Sequence, residues 1–252
     1  MGENIKTIVQ AFQIIEHISN HRVMGISELS KALDMPKATI FRTIKTLENL
    51  DVIQQNDDAT YTLGYKMLVY SQNVDVASQL ITLAKPLMKR IADNFGETVN
   101  LGIPYKTEVL FIHSEVGEFY TLQPQLARTS PMYCSGIGKL FLVDMTDSEV
   151  KTYISTAKKR TIHTLTTFQQ FEQEKAKIIR EGYALDEEEY EYGLSCMAIP
   201  IKDKAGQTRA ALSISGPTSR LKFKGYETLL EQLKAEVKTL NQQLLAIDYF
   251  ES

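Results

Sequence analysis

In the stretch "DMPKATIFRTIKTLENL", Lys37, Thr39, Arg42, Thr43, Lys45 and Thr46 fall opposite Ile40, Ile44 and Leu47 once the segment is wound as a helix. Lysine and arginine neutralise phosphates or pair with guanine, and short hydroxyl side chains bond phosphates and approach base edges closely. No acid interrupts the helix before Glu48, in a chain whose net charge is −3. The chemistry available on this face is contact with a nucleic acid. Taken alone, the helix reads better as an ordinary amphipathic element whose polar face keeps it in water. The elements before and after it decide the matter.

A second set of residues points to a small ligand. "SGIGKLFL" places Gly136 and Ile137 at the start of a helix, where backbone N–H groups and the helix dipole favour an anion. In "AALSISGP", Ser213 and Ser215 alternate onto one face of a strand and offer two hydroxyls from the same side. Cys196 begins the neighbouring strand, either as a small buried hydrophobe or as a ligand contact. Four consecutive acids, Asp186 to Glu189, stand just ahead of it in "ALDEEEYEYGLSCMAIP".

Catalytic readings of these residues are weaker. "SGIGK" ends like a phosphate-binding loop, but Tyr133 stands where the first glycine belongs and Leu140 where a serine or threonine should hold magnesium. A thiol hydrolase built on Cys134 or Cys196 with His113 or His163 lacks an orienting third group at a recognisable motif. His17 and His21 read as surface residues. Zinc spacings are absent, so neither a metal nor a cofactor is expected, and catalytic residues are expected to be none.

The elements that must position these groups follow from periodicity. Ile8, Phe12, Ile15 and Ile18 recur at helical spacing. Ser27 is an N-cap candidate for "ELSKAL", with Leu29 and Leu33 on one face. The third helix runs from Pro36 to Leu50. In "DVIQQNDDATYTLG", strands at Val52–Gln55 and Thr60–Leu63 flank the turn formers Asn56, Asp57 and Asp58. Three helices and a hairpin outline a winged helix-turn-helix, and that context turns the basic face toward DNA.

Tyr65 to Ser78 reads as a linker helix, and Leu80 to Phe95 as a further helix closed by Gly96. Beyond it, "TVNLGIP", "EVLFIHSE", "SCMAIPIK" and "RAALSISG" read as strands, the last two joined by the turn "DKAGQ". "SGIGKLFLVDM", Asp147 to Thr156, Phe168 to Arg180 and Tyr226 to Leu245 read as helices. The expected fold class is α+β, an antiparallel sheet flanked by helices behind a winged helix-turn-helix. The expected domains are 1–64 for DNA, 65–79 as linker and 80–252 for the ligand. A coiled-coil arm is the rival for the last helix, but Leu229, Leu230, Leu233, Val237, Leu240, Leu244 and Leu245 suffice for packing on its own sheet.

The 252 residues fit two domains. Apolar runs such as "LFLV" fall far short of the roughly 20 residues of a membrane span. The N-terminus lacks a charged leader followed by an apolar core, so a cytoplasmic location is expected, with the two cysteines as thiols.

"GISELSKALDMPKATIFRTIKTLENLDVIQQNDDATYTLG" resembles the N-terminal domain of the IclR family of bacterial transcription regulators. Met35, Pro36, Lys37, Ala38, Thr39, Ile40, Phe41 and Arg42 occupy the places of that family's third-helix pattern, with Ala38 in place of the usual serine. The resemblance implies that Thr60 and Tyr61 lie in the wing near the DNA backbone. The expected DNA-facing set is Ser27, Lys37, Ala38, Thr39, Arg42, Thr43, Lys45, Thr60 and Tyr61.

The second half is similar to the same family's effector domain, a relative of the GAF fold. "SPMYCSGIGKLFL", "REGYALDEEEYEYGLSCMAIPI" and "AALSISGP" carry the likeness in the family's order and spacing. It implies that a small carboxylate such as a 2-oxo acid sits among Gly136, Ile137, Asp186, Cys196, Ser213 and Ser215. Leu122, Ser130 and Leu194 would be the walls, and Ser130, where the family has leucine, favours a larger or more hydroxylated ligand such as a sugar acid.

Asp186 beside a ligand carboxylate must act through its backbone, through a ligand hydroxyl, or protonated, and the hydroxyl is favoured. Glu187, Glu188 and Glu189 are expected in a solvated turn, with Gly193 folding the chain back so that Leu194 and Cys196 approach the ligand. The implied partners are an operator duplex, a small carboxylate or sugar acid, and further copies of the chain as dimer and tetramer. The implied role is repression of carboxylate or sugar-acid catabolic genes. Activation, and from another class a ligand-binding enzyme of GAF-like fold, are the alternatives.

Overall fold

The computed structural model describes residues 4–72, 78–118 and 129–250. The chain divides into two compact units, Met1–Val76 and Ala77–Ser252.

The first unit contains α1 (Lys6–His21), α2 (Ile26–Leu33), α3 (Lys37–Asn49), β1 (Ile53–Gln55), β2 (Tyr61–Leu63) and α4 (Lys66–Gln72). β1 and β2 pair antiparallel with Gln54 opposite Thr62, which is the wing hairpin. The core joins Ile14 and Ile18 of α1, Leu29 of α2, and Ile40, Ile44 and Leu47 of α3. The apolar face expected of α3 is therefore the buried one.

Three expectations in this unit are corrected. In α1 the buried stripe is Ile14 and Ile18, flanked by Ala11 and Ile15, whereas Ile8 is 53% and Phe12 65% exposed. Apolar residues cover more of this helix than one core contact can use, and periodicity alone does not rank the two sides. Ser27 is not an N-cap: Ile26 packs against the core and draws the helix start back to Gly25, whose N–H donates to the Glu28 carboxylate at 2.8 Å. Ser27 is left exposed in the first turn. Tyr61 does not face the DNA side of the wing, because its side chain is only 1% exposed. Its main chain exchanges two hydrogen bonds with Met24, at 3.1 and 2.9 Å, which presses the ring into the core.

The second unit contains α5 (Ser78–Phe95), β3 (Thr98–Tyr105), β4 (Glu108–Glu115), β5 (Thr129–Pro131), a 3-10 turn (Met132–Cys134), α6 (Gly136–Val143), α7 (Asp147–Ile154), α8 (Phe168–Glu181), β6 (Ala184–Glu187), β7 (Leu194–Lys202), β8 (Thr208–Pro217), α9 (Thr218–Lys224) and α10 (Tyr226–Ala246). The strands form one sheet in the order β5-β4-β3-β8-β7-β6, and every neighbouring pair is antiparallel. The four strands expected from alternation are its centre, and the short β5 and β6 are its edges.

Alternation decides which layer each strand residue meets. Met197, Ile199, Leu212 and Ile214 join α5 and α10 on one face, so the last helix packs on its own sheet. Ala198 and Ala211 point the other way, toward α6, α7 and α8. Those small side chains let α6 approach closely: a Cβ on Gly136 would lie 3.2 Å from that of Ala198. On the same face the series continues as Ser213, Ser215 and Cys196, and there a cavity opens.

Candidate functional site

On α3, Lys37, Ala38 and Arg42 are exposed, while Thr39, Thr43 and Lys45 are half-buried. Thr43 and Thr46 donate back to the carbonyls of Thr39 and Arg42, each at 3.0 Å, so each hydroxyl proton is already committed to the helix. Lys45 is bonded to Glu48 at 2.7 Å, which raises its pKa, and its ammonium lies 5.9 Å over the Phe41 ring. Lys37 and Arg42 have no ion-pair partner among the described residues. They are the free positive charges of this face. In the wing, the Thr60 hydroxyl donates to Asp58 at 2.5 Å and accepts from Asn56 at 3.0 Å, so it holds the turn together.

The cavity of the second unit is small, with about 20 Å³ of free volume, and it opens to solvent. Of the residues expected there, Gly136, Ile137, Asp186, Cys196, Ser213, Ser215, Ser130 and Leu194 all line it. Leu122 lies outside the described residues. Phe111, Ser135 and Tyr190 line it as well.

Each wall has a local cause. Ser135 caps α6, accepting from the Gly138 N–H at 3.1 Å and donating to the Pro131 carbonyl at 3.0 Å. Gly136 and Ile137 occupy the first turn, where helix geometry leaves N–H groups without an intrahelical carbonyl. Opposite them, the Ser215 hydroxyl accepts from Asn100 at 3.2 Å, and Asn100 accepts from Ser114 at 2.7 Å. Asn100 was not among the expected residues, although an asparagine inside the apolar strand "TVNLGIP" was its signal. The Ser213 hydroxyl makes no hydrogen bond to a described residue, so it is available inside the cavity.

Asp186 lies 1% exposed opposite Cys196 in the β6–β7 pair. Its Oδ1 accepts the N–H groups of Glu189 at 2.7 Å and Tyr190 at 3.3 Å, which closes the turn after β6. Burial and then the neighbouring Glu189 push its carboxyl up to about 7, against the opposing pull of Lys139 and the two backbone bonds.

Glu189 corrects the expectation of a solvated turn. Its carboxylate is buried and bonded to Lys139, and its second oxygen has no hydrogen-bond partner among the described residues. The reason lies 50 residues away: Lys139 on the closely packed α6 is fully buried and needs counterions, which are Glu189 and, at 2.9 Å, Glu174 of α8. Burial pulls the ammonium down, but the two carboxylates outweigh it and the net shift is upward. The positive φ of Glu188, 61°, turns the chain inward at this point. Glu187 is exposed, 3.8 Å from Lys222, and Glu188 is half-buried.

The same geometry answers the catalytic alternatives. Lys139, the lysine of "SGIGK", is committed to a buried ion cluster and does not face a phosphate. Burial pushes both thiols up, that of Cys134 to about 12, so neither is a ready nucleophile at neutral pH. Among the described residues no group of three His, Cys, Asp or Glu side chains is arranged to hold a metal ion, and no helix is long and apolar enough to cross a membrane.

Comparison with known proteins matches residues 7–57 to the IclR helix-turn-helix domain and residues 72–242 to the bacterial transcriptional regulator IclR C-terminal domain. The transcriptional regulator KdgR of Escherichia coli is 29% identical over 256 aligned positions, covering 98% of this chain and 95% of that protein. The transcriptional repressor AllR of Salmonella typhi is 34% identical over 205 positions, covering 78% of this chain and 74% of AllR. Among solved structures, the IclR protein of Thermotoga maritima covers 96% of this chain and 99% of its own, with a TM-score of 0.73 at 26% identity. An IclR homologue of Microbacterium hydrocarbonoxydans, complexed with 4-hydroxybenzoate, covers 96% and 100% with a TM-score of 0.83 at 20% identity, a likeness of fold. The chain therefore belongs to the IclR family of bacterial transcription regulators, with a DNA-binding head and an effector-binding domain, and it is not an enzyme.

Proposed function

We propose that this regulator is a repressor released by a small organic acid, and that it governs genes for carboxylate or sugar-acid catabolism in the cytoplasm. The observation that carries the reading is the cavity itself. Free N–H groups at the start of α6 face the hydroxyls of Ser213 and Ser215, the donor set a carboxylate with nearby oxygens requires. Ser130 on the wall adds polarity where a hydroxylated acid would pack. AllR and YiaJ, both named repressors, support the sign of regulation.

The DNA-facing set is Ser27 on α2, Lys37, Ala38, Thr39, Arg42, Thr43 and Lys45 on α3, and Thr60 at the wing. Residues 1–64 act as the DNA head, 65–79 as the connection and 80–252 as the effector domain. A second copy covers the stripe of Ile5, Ile8, Val9 and Phe12 that α1 leaves exposed, which yields a dimer for a palindromic operator with half-sites about 34 to 36 Å apart. Dimers pair into tetramers. The effector acts by binding one placement of the heads more tightly than the other.

A gel shift with the chain's own upstream DNA across a salt series tests the head. Affinity is expected to fall with a slope of about −0.9 per phosphate neutralised. A calorimetric panel of 2-oxo acids and sugar acids tests the cavity. Release of the operator by none of them would sink the repressor reading.

A further inference from the structure

Among the described residues lining the cavity, Asp186 is the one carboxylate, and the charges around it do not balance. Glu189 and Tyr190 face it from the turn after β6, Lys139 from α6 with Glu174 of α8 behind, Cys196 from β7, and Cys134 from the 3-10 turn. Arg160, in the segment after α7, lies 4.0 Å over the Tyr190 ring and donates to the Tyr190 carbonyl at 2.9 Å. Three carboxylates, those of Asp186, Glu189 and Glu174, thus share one buried ammonium. That ammonium bonds the two glutamates. An organic anion held at the start of α6 adds another negative charge among side chains that are mostly buried.

We propose that the cavity takes its anionic effector together with one proton, which Asp186 holds. The proton comes from solvent and sits on Oδ2, because Oδ1 already accepts two backbone N–H bonds. The neutral carboxyl then donates its O–H to the bound anion where an ionised one would repel it. Burial and Glu189 already bring Asp186 near this state, raising its carboxyl to about 7. The inference rests on reading the cavity as an effector site. It replaces the expected acceptance of a ligand hydroxyl by an ionised Asp186.

Proton linkage fixes the consequence: affinity is flat below about pH 7 and weakens about tenfold per pH unit above it. From pH 6 to pH 8.5 the loss is about 30-fold. The test is calorimetric titration of the intact chain with glyoxylate, pyruvate and gluconate at these two pH values, each in two buffers of different ionisation heat. The acid that binds is expected to weaken by that factor, with close to one proton taken up per site at pH 8.5. Asp186→Asn, whose Oδ1 still accepts the two backbone bonds, should abolish both effects. The proton count of the unaltered chain decides the question even where that variant does not fold. Binding that is independent of pH and takes up no proton overturns the proposal and leaves the effector site standing. No binding of any of the three acids at either pH overturns both.

Discussion

Lys139→Met should destabilise the effector domain by about 3 to 5 kcal/mol, the range for removing one partner of a buried ion pair. The structure supports the full range. Lys139 is fully buried, Glu189 is 7% exposed, and one Glu189 oxygen lacks a partner among the described residues. Methionine fills nearly the same volume, so the effect reports the stranded charge and not a void. For a domain of this size the shift is roughly 2 to 4 °C of Tm per kcal/mol, which gives a fall on the order of 10 °C. Burial already raises the Glu189 carboxyl, and loss of the Lys139 charge raises it further. A carboxyl raised in the folded state stabilises below its unfolded pKa, and this contribution is lost as pH rises. The variant's deficit should therefore be larger at pH 8 than at pH 5. Urea denaturation of the purified chain, followed on the effector-domain transition, measures both. Adding Glu189→Gln should recover most of the loss, since Glu174 is 18% exposed at its side chain and can turn to water. A single variant within 1 kcal/mol of the parent, or a double variant no better than the single, would refute the account of a charge-driven buried turn.

Gly138→Ala should cost at least about 3 kcal/mol or prevent folding, because a Cβ there overlaps the Cα and carbonyl oxygen of Met132; a thermal melt reads it. Asp186 makes the parent chain less stable as pH rises from about 4 to about 7, by on the order of 3 to 4 kcal/mol, because its folded carboxyl titrates near 7 and its unfolded one near 3.8. Denaturation midpoints that stay level across that window, or that fall equally in Asp186→Asn, would contradict this. Arg42→Ala should weaken operator binding by about 10- to 100-fold, the worth of one good bidentate base contact, while acid binding measured by calorimetry stays intact. Ser213→Ala with Ser215→Ala should do the reverse, and equal loss of both activities in either variant would undo the division of labour.

Much of the molecule is legible in local pattern. The burial of Ile40, Ile44 and Leu47 and the alternation that brings Ser213 and Ser215 to one face are properties of period, which a single segment carries. Positions where two faces compete are not legible in this way. Nothing in α1 says that Ile14 and Ile18 are covered while Ile8 and Phe12 are not, and nothing in the wing says that Tyr61 is held inward by Met24. Those outcomes depend on which neighbour arrives.

The charge run after Leu185 shows the same division more sharply. From sequence alone, Asp186 belongs to a ligand site by its place in a motif, and the three glutamates after it look alike. Tertiary structure separates them. Glu187 stays in water, while Glu189 is drawn inside because α6, packed against small residues of the sheet, buries Lys139 where no solvent can pair it. A buried charge must find its counterion wherever the fold brings one. Local periodicity therefore determined the elements and the polar groups that line the cavity. Charge balance between residues 35 and 50 positions apart, which only the folded chain can settle, decided which acids serve the site.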